Sequence, residues 1–304
     1  MLVAIVMLAG GVVALTAGAG RFVEGAVRLS RSLGVSTILI GALVVGLGTS
    51  LPELVVSGLA AGRGELDLAV GNVVGSNVAN VTFVLGTAAL VAPFATHRLI
   101  IRREGGLMLA VVSLLTLLLW DERLLRGEAM LLLIAMVVAT WTLTRWSRGG
   151  GFPGVERHGG LARGAVHSIV GLAATLGGAE LLVRGATRLA EELDITTAFV
   201  GLVIVAIGTS LPEAATAITA ARRGEADLVV GNVLGSNIFN SLIVAGTAGM
   251  IGPGRIEGAF HTGAVFMIAA AAVAGLFQFT GWRMTRLEGL ALFASFGLFS
   301  VLVV

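Results

Sequence analysis

A stretch of 43 residues occurs twice in this chain. Residues 46–88 and 206–248 align at a constant offset of 160 positions and are identical at 25 of them. The identities include the hexapeptide GTSLPE and the frame GN-x-x-GSN-x-x-N. Chance does not give so long a match within one chain. Any fold for this sequence must therefore accommodate the same structural unit twice.

Apolar runs of membrane-span length recur between short segments that carry arginines. Of the 304 residues, 56% are hydrophobic and 12% are charged, whereas about a quarter of a soluble domain is charged. A span needs roughly 20 apolar residues, and the 44 glycines suit helices that approach closely in lipid. We expect an all-α membrane protein with ten transmembrane helices, at 2–18, 36–62, 68–92, 104–120, 127–146, 164–190, 195–222, 226–250, 259–279 and 284–303.

The ten predicted spans divide into two groups of five. Because five is odd, the second group enters the membrane from the opposite side, so the two repeats have inverted topology, a common plan of secondary transporters. We expect the first five-helix repeat at 1–146, with its motif at 46–80, and the second at 161–304, with its motif at 206–240. Residues 147–160 are rich in Gly, Arg and Pro and are predicted to link the two repeats.

Arginine is distributed unevenly between the loops. The side reached after the odd-numbered spans carries 14 of the 20 arginines, and the positive-inside rule makes that side cytoplasmic. We therefore predict a multi-pass protein of the cell (inner) membrane, with a cytoplasmic linker and both termini extracytoplasmic. The arginines are scattered and form no stripe, which argues against a nucleic-acid partner. The absence of cysteine excludes thiolate catalysis and soft-metal sites.

The repeated GTSLPE places a proline and a glutamate inside a predicted span. Pro52 lacks an N–H, so the carbonyl of Gly48 loses its helical partner and the helix bends. Thr49 and Ser50 add hydroxyls that either repair the broken backbone or bind an ion, and Glu53 adds a carboxylate about one turn away. An intramembrane charge is costly and usually marks function. The second half repeats these residues at Gly208, Thr209, Ser210, Pro212 and Glu213.

The repeated frame GN-x-x-GSN-x-x-N supplies further oxygen atoms. Ser76 and Asn80 are four residues apart, as are Ser236 and Asn240, so each pair shares a helix face. The asparagines either bind an ion or hold neighbouring helices together. Neither 46–88 nor 206–248 contains His, Cys or Met, which favours hard cations such as Ca²⁺ or Na⁺ over zinc, copper and iron. Two carboxylates balance the charge of one divalent ion or of two monovalent ions. Because the two kinds of ion then exclude each other from the site, the arrangement meets the basic requirement of an antiporter.

These motifs resemble the α-repeats of the Ca²⁺/cation antiporter superfamily, in particular the prokaryotic sodium/calcium exchangers. The matching residues are GTSLPE with GNVVGSNVAN and GTSLPE with GNVLGSNIFN. The resemblance implies a core of spans 2, 3, 7 and 8, gated by the first helix of each half. It also implies that both glutamates and the carbonyls of Thr49 and Thr209 hold Ca²⁺, with sodium sites around them. The implied ion-binding residues are Gly46, Thr49, Ser50, Glu53, Ser76 and Asn80, with Ala206, Thr209, Ser210, Glu213, Ser236 and Asn240.

Two positions depart from the pattern of the superfamily. Gly46 stands where an alanine is more usual, which matters little if only its carbonyl binds. Asn240 stands where some members have an aspartate, so this chain lacks that titratable group and its sodium stoichiometry is left open.

The expected function is exchange of Ca²⁺ for Na⁺ across the lipid bilayer by alternating access, with both ions as transported substrates and no cofactor. The chain is compatible with a monomer. Three alternatives remain open at this point. The same glutamates serve a Ca²⁺/H⁺ exchanger equally well, two intramembrane carboxylates suit the acid and base of an enzyme, and a continuous pore would make a cation channel.

Overall fold

The computed structural model describes residues 1–148, 160–193, 206–256 and 260–302. Within these ranges the backbone forms twelve helices and four two-residue strands. The helices are α1 (Leu2–Leu33), α2 (Thr37–Thr49), α3 (Leu51–Gly62), α4 (Leu66–Val91), α5 (Arg98–Ile100 continued by Ile101–Gly105 and Gly106–Leu118), α6 (Arg126–Arg148), α7 (Leu161–Glu192), α8 (Ala206–Thr209), α9 (Leu211–Arg222), α10 (Ala226–Ile251), α11 (Phe260–Gly281) and α12 (Arg286–Leu302). The strands are β1 (Phe94–Ala95), β2 (Arg123–Leu124), β3 (Gly254–Arg255) and β4 (Arg283–Met284).

Long apolar helices dominate the described residues. Six of them, α1, α4, α6, α7, α10 and α11, are long and apolar enough to cross a membrane, and the bent pair α2 and α3 gives a seventh candidate. In their most apolar stretches α10 is 94% buried and α4 is 78% buried, whereas α1 and α6 are each 22% buried. The outer helices thus turn apolar side chains away from the protein, as lipid contact requires. The chain is a multi-pass membrane protein with α4 and α10 at its centre.

The first helix is longer than the predicted span at 2–18, because α1 continues to Leu33. Its second half keeps a buried apolar face that includes Phe22. The charged side chains of Glu24 and Arg28 lie on a more exposed face, where they form an ion pair at 2.6 Å. Packing against a neighbouring helix carries α1 beyond its apolar run, and Gly34, in the left-handed conformation with φ 64°, ends it.

The last turn of α6 extends into the predicted linker. Ser147 and Arg148, which we assigned to the linker 147–160, belong to α6. The hydroxyl of Ser147 accepts a hydrogen bond from the backbone N–H of Ser36 at 3.1 Å, which keeps the last turn of α6 against the start of α2. The greater part of the predicted linker, 149–159, lies outside the described residues.

Helices α1 and α7 pack against each other in antiparallel directions. A Cβ atom added at Gly18 would lie 2.5 Å from the backbone N of Thr175, and one added at Gly25 would lie 2.4 Å from that of Ser168. Such close approach of two backbones needs small residues. A repeat of seven residues keeps one face of each helix on the seam. The glycines on this seam are Gly11, Gly18 and Gly25 in α1, with Gly164, Gly171, Gly178 and Gly185 in α7.

Two short antiparallel strand pairs tie loops of one half to loops of the other. β1 pairs with β4, with Phe94 opposite Met284, and β2 pairs with β3, with Leu124 opposite Gly254. The sequence analysis predicted helices only. The strands form because extended loop backbone must satisfy its N–H and C=O groups where the two loops meet. The offset of 160 that relates the halves also relates these two pairs.

Candidate ion-binding site

A bend in the first half exposes the GTSLPE motif to the centre of the bundle. The axis turns by 45° between α2 and α3, and Ser50 leaves the helical conformation there, with φ −86° and ψ 11°. Pro52 lies in the first turn of α3, where it cannot donate to the carbonyl of Gly48. Glu53 follows in the same turn and is buried. The proline thus places the glutamate next to a break in the helical hydrogen bonding.

The second half repeats this local structure between α8 and α9. Ser210 precedes α9 with φ −89° and ψ 2°, and Pro212 lies in the first turn. Glu213 occupies the first turn of α9 as Glu53 does in α3. Ala206 begins α8, and its side chain lies outside the described part of the chain.

Glycines allow α2 to lie directly on α10. A Cβ atom added at Gly235 would lie 2.2 Å from the carbonyl oxygen of Ala42, and one added at Gly46 would lie 2.7 Å from the backbone N of Ser236. The carbonyl of Gly46 accepts a hydrogen bond from the Ser236 hydroxyl at 3.2 Å. In this chain the glycine at position 46 therefore permits a contact between the two halves that an alanine side chain would crowd.

The two glutamates lie in the interior, and each side chain is 1% exposed. The Ser50 hydroxyl donates to Oε1 of Glu213 at 3.1 Å, so a group from each half meets at this carboxylate. Oε2 of Glu53 and Oε2 of Glu213 have no hydrogen-bond partner among the described residues. Because an ionised carboxylate without a partner is costly to bury, these oxygens are suited to bind a cation.

Neutral polar side chains near the motifs are also buried without partners. Within the described residues, the Ser210 hydroxyl, Oδ1 of Asn80 and both side-chain polar atoms of Asn240 form no hydrogen bond. Each of these three side chains is at most 2% exposed. Buried polar atoms are normally paired, so this group indicates a place for a ligand. Ser76 is 5% exposed, and Thr209 is partly buried.

The hydroxyl of Thr49 bonds within its own helix, and not to the carbonyl of Gly48 that Pro52 leaves without its helical partner. It donates to the carbonyl of Val45 at 3.0 Å, four residues back. It also lies 3.3 Å from Oδ1 of Asn232, across the boundary between the halves. Thr49 is fully buried, and its side chain therefore stabilises the end of α2 against α10.

The two central helices widen at equivalent points. A π segment runs over Asn80–Val84 in α4 and another over Asn240–Val244 in α10. Such segments insert an extra residue into a turn and are frequent at functional sites. Each begins at the asparagine that the sequence analysis singled out. The π turns therefore change the direction of each asparagine side chain relative to an ordinary helix.

The sequence analysis missed two residues that hold the glutamate helices. The Asn72 amide donates to the main-chain carbonyl of Glu53 at 3.3 Å, and the Asn232 amide donates to that of Glu213 at the same distance. Both asparagines stand in the duplicated GN dipeptide. The duplication was the available signal, but only the structure shows that their side chains fix the positions of the carboxylate-bearing turns.

We predict that Asn232→Ala weakens Ca²⁺-dependent transport, because it removes the bond to Glu213 and the contact with Thr49. Intramembrane hydrogen bonds of this kind contribute about 1 kcal/mol, which corresponds to a half-saturating Ca²⁺ concentration raised roughly fivefold. The matched control is Asn237→Ala. The Asn237 amide donates to Val233 of its own helix at 2.8 Å, so its loss should leave the Ca²⁺ dependence unchanged. Equal shifts in both variants would contradict the assigned role of Asn232.

Comparison with known proteins identifies the family. The family model described as sodium/calcium exchanger protein matches one stretch in each half, residues 3–145 and 164–304. The chain belongs to the sodium/calcium exchanger family. It is 37% identical to the putative antiporter CaxA of Alkalimonas amylolytica over 97% of both chains. It is 31% identical to the sodium/calcium exchanger MaX1 of Methanosarcina acetivorans over 96% of both chains.

The structure is also similar to a solved exchanger. The sodium-calcium exchanger NCX_Mj, from a crystal soaked with Na⁺ and Ca²⁺, superimposes with a TM-score of 0.87 at 28% identity. The match covers 98% of this chain and 97% of that chain. The resemblance drawn from the motifs is confirmed. The relatives of this chain are transporters and not enzymes. The enzyme alternative is therefore set aside, and the chain is a membrane protein of an antiporter family.

Proposed function

We propose that this protein exchanges Ca²⁺ for Na⁺ by alternating access, with Glu53 and Glu213 as the shared carboxylate ligands. The observation that carries this proposal is the pair of glutamates, each 1% exposed, that come from opposite halves and each retain an oxygen without a partner. The contact of Ser50 with Glu213 at 3.1 Å joins the halves at that point.

The donor set supports a reversibly bound hard cation. Ca²⁺ takes about 6–8 oxygen ligands, and its affinity rises with the number of charged ones. Within the described residues no group of three or more His, Asp or Glu side chains could hold a metal ion. Two carboxylates surrounded by hydroxyl, amide and backbone oxygens suit an ion that must bind and leave. The proposed ligand set is the twelve residues given above, with Thr49 and Thr209 contributing carbonyls.

Charge balance supports competition between the two substrates. Two carboxylates are neutralised by one Ca²⁺ or by Na⁺ ions that occupy the same oxygens. Asn240 adds no charge to this centre. An empty site with two negative charges is costly to move past an apolar barrier, so only the loaded protein should pass between inward-facing and outward-facing states. We propose that motion of α1 and α7 accompanies this step.

We also propose ten transmembrane helices in two inverted repeats, at 1–146 and 161–304. Equal lengths support this arrangement, because α1 and α7 each have 32 residues and α3 and α9 each have 12. The antiparallel packing of α1 on α7 is what inverted halves require. The remaining spans would be α5, α12 and a segment that contains α8 and α9. Arginine distribution supports a cytoplasmic linker and extracytoplasmic termini in the inner membrane.

A sodium-gradient experiment tests the proposed coupling. Proteoliposomes loaded with Na⁺ are diluted into sodium-free medium that contains ⁴⁵Ca²⁺, with pH clamped on both sides by an ionophore. We expect Ca²⁺ to accumulate against its gradient, and we expect no accumulation when choline replaces internal Na⁺. Accumulation that ignores Na⁺ but follows an imposed pH gradient would identify a Ca²⁺/H⁺ exchanger. Flux that only dissipates the Ca²⁺ gradient would identify a channel.

A further inference from the structure

An apolar groove of about 300 Å³ lies between α5 and α11, and α4 and α10 form its floor. Ile101 and Leu109 form part of the wall from α5, and Leu276 and Phe279 form part of the wall from α11. Ile101 and Leu109 are eight residues apart, which corresponds to about 12 Å along a helix. The groove therefore has the length and the chemistry to hold a segment of a lipid acyl chain.

Two arginines stand at one end of this groove. The guanidinium of Arg102 lies 5.8 Å from the centre of the Phe279 ring, which lines the groove. Arg98, one turn earlier in α5, lies 5.6 Å from the centre of the Trp282 ring. Cation–π contacts of this kind hold a guanidinium in place without using its N–H donors. The two positive charges are thus fixed side by side at the mouth of the groove.

Neither guanidinium is neutralised by a residue that the structure describes. Both side chains are exposed, and among the described residues neither forms an ion pair or a hydrogen bond. The amide of Gln278 lines the same groove beside Phe279. Its Oε1 atom is buried and has no hydrogen-bond partner in the described part of the chain. The groove thus combines an apolar channel, two unpaired positive charges and one unused hydrogen-bond acceptor.

This combination matches one class of ligand in a membrane. Arginine binds phosphate with paired N–H donors, an acyl chain fits the apolar groove, and a headgroup hydroxyl can donate to Gln278. Basic pockets between transmembrane helices bind anionic headgroups of the cytoplasmic leaflet. The arginine-rich side, which we propose to be cytoplasmic, is the side on which this pocket opens. A zwitterionic lipid offers the same chain but no net charge to the two guanidiniums.

We propose that an anionic glycerophospholipid binds here, with its phosphate on Arg98 and Arg102 and one acyl chain in the groove between α5 and α11. The proposal goes beyond ion exchange and does not depend on it, because neither glutamate of the ion-binding site takes part. A bound lipid would fill the space between α5 and α11 and hold these two helices together.

Native mass spectrometry of the purified full chain, titrated with palmitoyl-oleoyl phosphatidylglycerol, tests this site. We expect the double variant Arg98→Ala/Arg102→Ala to weaken the binding of one lipid by about 30-fold. Each arginine near a lipid surface contributes about 1 kcal/mol to the binding of an anionic headgroup, and the two contributions together give this factor. Gly275→Leu is expected to block the acyl chain. A Cβ atom at Gly275 meets nothing within 4 Å, so the leucine enters the groove without displacing a neighbour.

The matched control is Arg145→Ala. Arg145 also lies over an aromatic ring, 4.6 Å from the centre of Trp141, but α6 does not line the groove, so binding should remain as in the unmodified protein. Equal affinity for phosphatidylcholine of the same chains, or unchanged binding in the double arginine variant, would overturn the proposal. Binding of soluble glycerol phosphate at the same concentrations would also overturn it, because a free anion would then suffice.

Discussion

Proteoliposomes that contain Glu213→Gln are expected to exchange Ca²⁺ at least about a hundredfold more slowly than wild type, a loss that corresponds to about 2.7 kcal/mol. Glutamine keeps the shape of the side chain and can still accept the hydrogen bond from Ser50. It removes one of the two charges that balance the ion. A bound Ca²⁺ would then carry an uncompensated positive charge past the apolar barrier, which is costly in the membrane interior. The measurement is ⁴⁵Ca²⁺ uptake driven by a sodium gradient.

Glu180→Gln is the matched control for this experiment. Glu180 is also a glutamate within a long apolar helix, but its side chain is 58% exposed and pairs with Arg184 at 2.6 Å on the surface of α7. Glu180 lies outside the buried ion-binding site, and a glutamine there can still accept the hydrogen bond from Arg184, so this variant should transport at nearly the wild-type rate. Glu53→Gln should behave as Glu213→Gln does. Wild-type exchange by either core variant would remove that glutamate from the ion-binding site.

The sequence was sufficient to predict a helical membrane protein with two related halves, because both features can be recognised without knowing which residues are in contact. Apolar length marks a span, and self-similarity marks a duplication. Helix ends were predicted less well. α1 passes the predicted end of its span by 15 residues because one face of its second half packs against α7, and such lateral contacts depend on residues far away in the chain. The strand pair β1 and β4 was missed for the same reason.

The motifs also predicted a buried centre that contains both glutamates, but not the contacts within it. Because GTSLPE is identical in the two halves, the sequence cannot tell which serine reaches across. In the structure Ser50 donates to Glu213, whereas the Ser210 hydroxyl has no partner in the described residues. The two halves therefore differ in conformation at equal sequence. Unequal contacts at equivalent positions fit the alternating access that we propose, in which one repeat moves against the other.

The seam between α1 and α7 should tolerate added volume poorly. Gly178 illustrates this point, because a Cβ atom there would lie 2.3 Å from the backbone N of Leu15. Backbone cannot move aside as a flexible side chain can, so Gly178→Leu must push the two helices apart over several turns. Overpacking usually costs about 1–3 kcal/mol and occasionally more, and here the contact extends along both long helices.

We therefore expect Gly178→Leu to lower the thermal midpoint of the detergent-purified protein by several degrees and to reduce sodium-driven Ca²⁺ uptake about tenfold or more. The neighbouring Gly177 is the matched control. A Cβ atom at Gly177 meets nothing within 4 Å, so Gly177→Leu adds the same side chain one residue away on the outward face. That variant should keep both the thermal midpoint and the uptake rate. If the two leucine variants behaved alike, the volume of the seam would not be what holds α1 to α7.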